Sequence, residues 1–303
     1  PDRGGPHCPL QRHGPGPVWE VGPITYANFT GGIQRIGYGL MKKLVIADRL
    51  DPIVAELFNG GASYPGFLSL LGAVLYTIQL YMDFSGSMDA VCGTAQIFGL
   101  TMPENFRRPF FSKNISEFWT RWHITLGTWF RDYVYIPLGG NRKGKGRQFL
   151  NILIVWMLTG FWHGAAWNFL LWGLYFALLL MAEKAGLPVR GRVYTLAAVV
   201  LGFVLFDASS LSSALACVKG LFGLGGLPPV STQGLYLLKS NALLLILAAL
   251  GATPLPKRIA KALEACCPKA AALLHPAALC ALLLICTAYL VDGSYNPFLY
   301  FRF

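Results

Sequence analysis

The stretch Phe149–Ala182 reads FLNILIVWMLTGFWHGAAWNFLLWGLYFALLLMA, two apolar runs divided by His163-Gly164. Phe149–Trp162 and Ala166–Ala182 carry no Asp, Glu, Lys or Arg, and only a short turn separates them. They predict a tight pair of apolar helices. Basic residues flank both outer ends, with Arg142, Lys143, Lys145 and Arg147 before the pair and Lys184, Arg190 and Arg192 after it. Lys and Arg collect on the cytoplasmic side of membrane helices, so both flanks are expected there and His163 at mid-membrane or the far side. The pair sets the fold class: an all-α, polytopic helical membrane protein.

Composition agrees. Of 303 residues, 54% are hydrophobic and only 13% charged, and the mean hydropathy is +0.50. Soluble domains carry about a quarter charged residues, so this chain lacks the polar surface of a water-soluble globule. The net charge of +11 does not point to nucleic acid, because the cations gather in short segments between apolar runs. Attraction to membrane lipid headgroups accounts for that pattern. The seven cysteines form no C-x-x-C pair and lie mostly in or beside apolar runs, which argues against a disulfide framework or a metal site. Residues 1–20 are Pro/Gly-rich, lack the apolar core of a signal peptide and follow no initiator Met. The chain is expected to be a fragment of a longer protein, with a ragged start at 1–20 and a membrane domain over 21–303.

Further elements follow from periodicity. Ile33–Ala47 places Ile33, Ile36, Leu40, Met41 and Leu44 on one face and predicts an amphipathic helix, either lying at the membrane surface or packed against other helices with Arg35, Lys42 and Lys43 in water. Gly66–Met82 predicts a spanning helix broken by Asp83-Phe84-Ser85-Gly86, then a short helix over Met88–Leu100. Ile115–Tyr133 predicts a single helix, with Asn114 or Ser116 as cap and Trp119, Trp122, Leu126 and Trp129 three or four apart. Arg142–Arg147 reads as a basic loop without the frame of a phosphate-binding loop. Later spans are expected at Val193–Phe206, Leu235–Gly251 and Ala270–Val291, with a turn-rich connector at Gly223–Pro229 and a basic loop around Lys257, Arg258, Lys261 and Lys269. The aromatic ending, Ser294–Phe303, suits a membrane interface.

Two histidines stand out. His163 lies in Gly160-Phe-Trp-His-Gly164, where two glycines four apart permit close approach of a helix or a substrate. A histidine at membrane depth faces a bundle interior or a water-filled cavity, and neutral imidazole suits general-base work near neutral pH. A structural hydrogen bond to a neighbouring carbonyl would account for it equally well. His123 follows Arg121 and Trp122, and a nearby Arg would hold such a histidine neutral. For His123 a role in orienting its neighbours is favoured.

Several longer motifs carry a resemblance. Tyr81-Met-Asp-Phe-Ser-Gly86, Phe98-Gly-Leu-Thr-Met-Pro-Glu-Asn-Phe106 and Ser116-Glu-Phe-Trp-Thr-Arg-Trp-His-Ile-Thr-Leu126 resemble the bacterial membrane-bound O-acyltransferase family. So do Trp129–Arg142, Leu158-Thr-Gly-Phe-Trp-His-Gly-Ala-Ala-Trp167 and the ending from Ser294. The similarity runs from about Val21 to Phe303 and is strongest to the branch that O-acetylates alginate and cell-wall polysaccharides.

The resemblance implies a ring of helices around a central tunnel. It places the catalytic histidine of the Trp-His-Gly motif on His163 and a second important histidine on His123. It implies transfer of an acyl group, most naturally acetyl, from a cytoplasmic thioester such as acetyl-CoA to an extracytoplasmic polysaccharide hydroxyl. No bound cofactor or metal is expected. Trp162 and Asn168 are candidates to support the oxyanion, and Arg121 and Trp122 to support His123. The expected setting is the bacterial inner membrane, with a secreted SGNH-type acetyltransferase as partner. D-alanyl transfer to teichoic acid is the alternative within the family, and a transporter or export component the alternative outside it. Members of the family usually carry membrane helices before the segment matched by Gly22-Pro23-Ile24, so N-terminal helices are expected to be missing here.

Overall fold

The structure, a computed structural model, describes residues 22–59, 66–208, 210–224 and 232–292. The ragged start and the aromatic ending therefore fall outside the described residues, as does most of the Gly223–Pro229 connector. Among the described residues the regular elements are all helical.

The chain opens on α1 (Tyr26–Leu40), a π-helical stretch at Met41–Ala47 and α2 (Asp48–Asn59), followed by the 32-residue α3 (Gly66–Ile97). α1 and α3 lie backbone to backbone. A Cβ on Gly86 would come within 2.7 Å of the Gly39 carbonyl, and one on Gly93 within 2.7 Å of the Gly32 carbonyl. Small residues at such a seam let two apolar helices approach closely.

This seam corrects two expectations. The three cations of this segment are paired with acids, and Lys43 is buried, where solvation had been expected. Lys43 is 6% exposed and reaches Asp48 and Asp83, each at 2.7 Å, while Arg35 and Lys42 pair with Asp89. Nor does Asp83-Phe84-Ser85-Gly86 end the helix: α3 runs through it to Ile97. Asp83 is tolerated because Lys43 faces it, and Gly86 because the backbone of α1 needs the space.

The aromatic centre follows. α4 (Ile115–Trp119) and α5 (Ile124–Phe130) are separate helices, where one had been expected. His123 sits between them at φ 46°, a left-handed conformation that ends the first helix's direction. Such a residue costs on the order of 1–3 kcal/mol and persists only where its surroundings hold it. α4 is capped by Asn114, whose side chain accepts from Glu117 N–H at 2.7 Å, while Glu117 accepts from Lys113 N–H at 2.6 Å.

α6 (Gly144–His163) and α7 (Trp167–Ala185) form the expected hairpin. The basic loop is shorter than expected, because α6 already begins at Gly144 and takes in Lys145 and Arg147. A Cβ on Gly160 would overlap the Phe169 carbonyl and one on Gly173 the Trp156 carbonyl, so these glycines set the spacing. The hairpin places both basic flanks at one end and His163 at the other.

α8 (Arg192–Asp207) packs against α7, and α9 (Leu211–Leu221) follows. The span expected at Leu235–Gly251 is α10 (Thr232–Ser240) and α11 (Ala242–Gly251), bent by 68°. The bend falls where Ser240 and Asn241 turn their side chains onto the carbonyls of Tyr236 and Leu237, at 2.7 and 3.0 Å. The expected basic loop is instead an exposed helix, α12 (Leu255–Cys266), leading into α13 (Pro268–Val291). α13 crosses α1, where Leu279 faces Gly37.

Three helices among the described residues, α3, α7 and α13, are long and apolar enough to cross a membrane, and α10–α11 make a fourth if read as one bent span. α8, with 16 residues, and α6, which takes in Lys145 and Arg147, fall outside that length-and-composition group.

Candidate active site

The left-handed turn at His123 is held from Asn105. The Asn105 carbonyl accepts from Ile124 N–H at 3.1 Å, and Arg107 N–H donates to the Arg121 carbonyl at 2.9 Å. Asn105 Oδ1 accepts from Thr125 N–H at 3.2 Å and from Thr125 Oγ1 at 2.7 Å, and lies 3.2 Å from His123 Nδ1. A backbone N–H only donates, so the Asn105 atom it meets is the oxygen. His123 Nδ1 therefore carries the proton, and Nε2 presents a lone pair. The ring stands edge-on to Phe84 at 4.7 Å. Burial, with no contribution from Arg121, pushes the His123 imidazole down to about 4. That corrects the cause expected from sequence.

His163 ends α6. Its ring meets Trp172 at 5.2 Å, Phe206 at 5.1 Å and Trp162 at 4.9 Å, each edge-on, with interplanar angles between 79° and 87°. Trp162 also faces His123, at 6.1 Å. The two imidazoles, supplied by different segments, thus converge on one indole.

The supporting residues separate. Asn168 donates to the Phe206 carbonyl at 2.9 Å, tying the start of α7 to the end of α8 beside the His163 ring. Trp122 is 6% exposed and packs on Phe118 at 5.6 Å and Phe203 at 5.1 Å, so it anchors the core from which His123 emerges. Arg121 turns to Glu117 and lines a cleft at the basic end of the hairpin.

Sequence reading missed Asn105, Trp172 and Phe206. Asn105 sits in a loop quoted only as part of a motif, and the other two are apolar residues in apolar helices. It also missed Glu183, which accepts from the N–H groups of Ile115 at 2.6 Å and Ser116 at 3.1 Å and so fixes α4 to the end of α7. An acid closing an apolar helix was the available signal for Glu183.

Comparisons with known proteins follow the same motifs. Residues 6–198 match the model of the MBOAT, membrane-bound O-acyltransferase family. The chain is 39% identical over 209 residues to a probable alginate O-acetylase AlgI of Pseudomonas putida, covering 66% of this chain and 43% of that protein. It is 36% identical over 214 residues to a peptidoglycan O-acetyltransferase of Helicobacter pylori, covering 67% and 41%. It is 33% identical over 156 residues to a teichoic acid D-alanyltransferase of Bacillus subtilis, covering 49% and 40%. The chain spans about two fifths of the length of these relatives. The family match takes in both histidines and every motif between Tyr81 and Trp167, and the chain belongs to the membrane-bound O-acyltransferase family.

Proposed function

We propose that this chain contributes the acyl-transfer centre of an O-acetyltransferase that modifies an extracytoplasmic polysaccharide in the bacterial inner membrane. The observation that supports it most is the convergence of His123 and His163 on Trp162 in a member of this family. His163 acts as general base: it takes the proton of the attacking hydroxyl as the oxygen bonds to the acyl carbon of a thioester. The carbon–sulfur bond breaks, and the proton passes to the departing thiolate. His123 is a positioning residue whose Nε2 lone pair faces away from Asn105. The attacking hydroxyl belongs to the polysaccharide, or to a secreted SGNH-type partner. In the second case a polysaccharide hydroxyl then attacks the partner's acyl ester and releases the partner's own hydroxyl. The attacking hydroxyl meets the thioester in a tunnel within a ring of helices.

Acetyl is favoured over D-alanyl because the acetylating relatives are more similar over a longer stretch. The test is to supply the full-length protein in membrane vesicles with a thioester carrying labelled acetyl and to follow base-labile label on the acceptor glycan. Label on the glycan with equal release of thiol is the expected result. Movement of intact glycan with no thioester consumed would instead assign a transport role.

A further inference from the structure

α12 (Leu255–Cys266) divides into two faces. Leu255, Ile259, Leu263 and Cys266 recur three or four residues apart and share one side. Lys257, Lys261 and Glu264 share the opposite side, and Arg258 sits at the border. None of these residues is buried, and on the apolar side Ile259 is 59% and Leu255 43% exposed. A helix of this pattern in a protein interior buries its apolar stripe, whereas this one leaves Leu255, Ile259 and Cys266 uncovered. α12 also lies beyond the stretch matched by the family model, residues 6–198.

Connectivity places the helix at a bilayer boundary. α13 starts at Pro268 and carries no Asp, Glu, Lys or Arg from Ala270 to Val291. Its 24 residues reach roughly 36 Å, against about 30 Å of bilayer hydrocarbon. Lys269 therefore marks one edge of the hydrocarbon, and α12 ends beside it. α12 does not continue along the axis of α13. Cys267 between them is non-helical, at φ −138° and ψ 69°, and His275 Nδ1 lies 3.5 Å from Glu264 Oε1. In an unbroken helix the 11 residues from Glu264 to His275 would separate the two by roughly 16 Å, so the chain bends steeply there. The edge is the one at which the α6–α7 hairpin ends in cations: Arg258 lines a cleft with Arg121 and with Arg192 at the start of α8.

We propose that α12 is an interfacial helix that docks on the anionic phospholipid headgroups of the membrane surface. Leu255, Ile259 and Cys266 enter the boundary between headgroups and acyl chains, and Lys257, Lys261 and Lys269 meet the lipid phosphates. The acid of the helix, Glu264, is engaged with His275, and Arg258 borders the cleft, so the charge that α12 presents outward is positive. Charge alone would draw any soluble anion. The exposed apolar side matches a surface that offers hydrocarbon as well as anions, and a bilayer is such a surface. Each Lys or Arg near an anionic leaflet contributes about fivefold in affinity, the ratio that corresponds to about 1 kcal/mol.

The experiment uses the full-length protein in nanodiscs of phosphatidylcholine alone and of phosphatidylcholine with an equal part of phosphatidylglycerol. Amide hydrogen exchange over residues 255–266 is followed by mass spectrometry, with exchange over α13 as the check that each protein is folded. The variants are Lys257→Gln/Lys261→Gln/Lys269→Gln, its charge-keeping counterpart Lys257→Arg/Lys261→Arg/Lys269→Arg, and Arg142→Gln/Lys143→Gln/Lys145→Gln, which removes as much charge away from α12. Exchange over α12 is expected to be at least about fivefold slower in the phosphatidylglycerol discs. The glutamine variant of α12 is expected to lose that difference, while the arginine variant and the distant control keep it. Equal exchange over α12 in the two kinds of disc overturns the proposal: slow in both, protein covers the helix; fast in both, it stays in water. A difference that persists undiminished in the glutamine variant of α12 overturns it too. The wild-type comparison needs no substitution, so a variant that fails to fold leaves the test intact.

Discussion

Asn105 and His123 are joined side chain to side chain at 3.2 Å, and the same Asn105 oxygen accepts both donors of Thr125. One buried amide thus fixes the turn that carries His123 and the tautomer of its ring. Asn105→Ala is expected to destabilise the protein by about 1–3 kcal/mol, since it strands buried donors, and to slow acyl transfer. Asn105→Asp, which keeps the acceptor, is expected to retain more of both. Unfolding temperature and initial rate, measured together on the two variants, check this; equal losses would remove the role assigned to the oxygen.

Lys43 supplies one ammonium to two buried carboxylates, Asp48 and Asp83. Lys43→Met leaves both acids without it and is expected to destabilise by about 3–5 kcal/mol. Asp83→Asn leaves a one-to-one pair between Lys43 and Asp48 and is expected to cost much less. Thermal unfolding in detergent ranks the two; the reverse order would contradict the cluster as described.

Two glycines of α6 are expected to respond with opposite sign. Gly160→Ala puts a methyl against the Phe169 carbonyl, and overpacking of this kind typically costs about 1–3 kcal/mol. A Cβ on Gly146 meets nothing within 4 Å, so Gly146→Ala is expected to stabilise the helix, by up to about 1 kcal/mol. Unfolding temperatures of the two variants test the geometry of the hairpin.

Glu183 holds the start of α4 through three donors, the N–H groups of Ile115 and Ser116 and the Ser116 hydroxyl. Glu183→Ala is expected to lower stability by about 1–2 kcal/mol, the scale of a lost helix cap. Glu183→Gln, which keeps one acceptor oxygen, is expected to fall between. Thermal unfolding of both variants checks the order.

The parts of the fold that local pattern decides were legible in the sequence. The α6–α7 hairpin followed from two uncharged runs and a turn, and His163 was marked by its place between them. What escaped depends on partners distant in sequence. Asp83 reads as a helix breaker until Lys43 is found opposite it, and the apolar spacing of Trp119, Trp122 and Leu126 continues across the break at His123 that Asn105 enforces. The bend at Ser240-Asn241 was hidden because the surrounding residues are apolar enough for one span.

His163 is the group proposed to take the hydroxyl proton, and single-turnover acyl transfer by the full-length His163→Ala protein, at matched unfolding temperature, tests that role. A general base contributes about 10²–10⁴-fold, and loss of that order is expected while thioester binding persists. Transfer at the wild-type rate in a folded His163→Ala protein would contradict it.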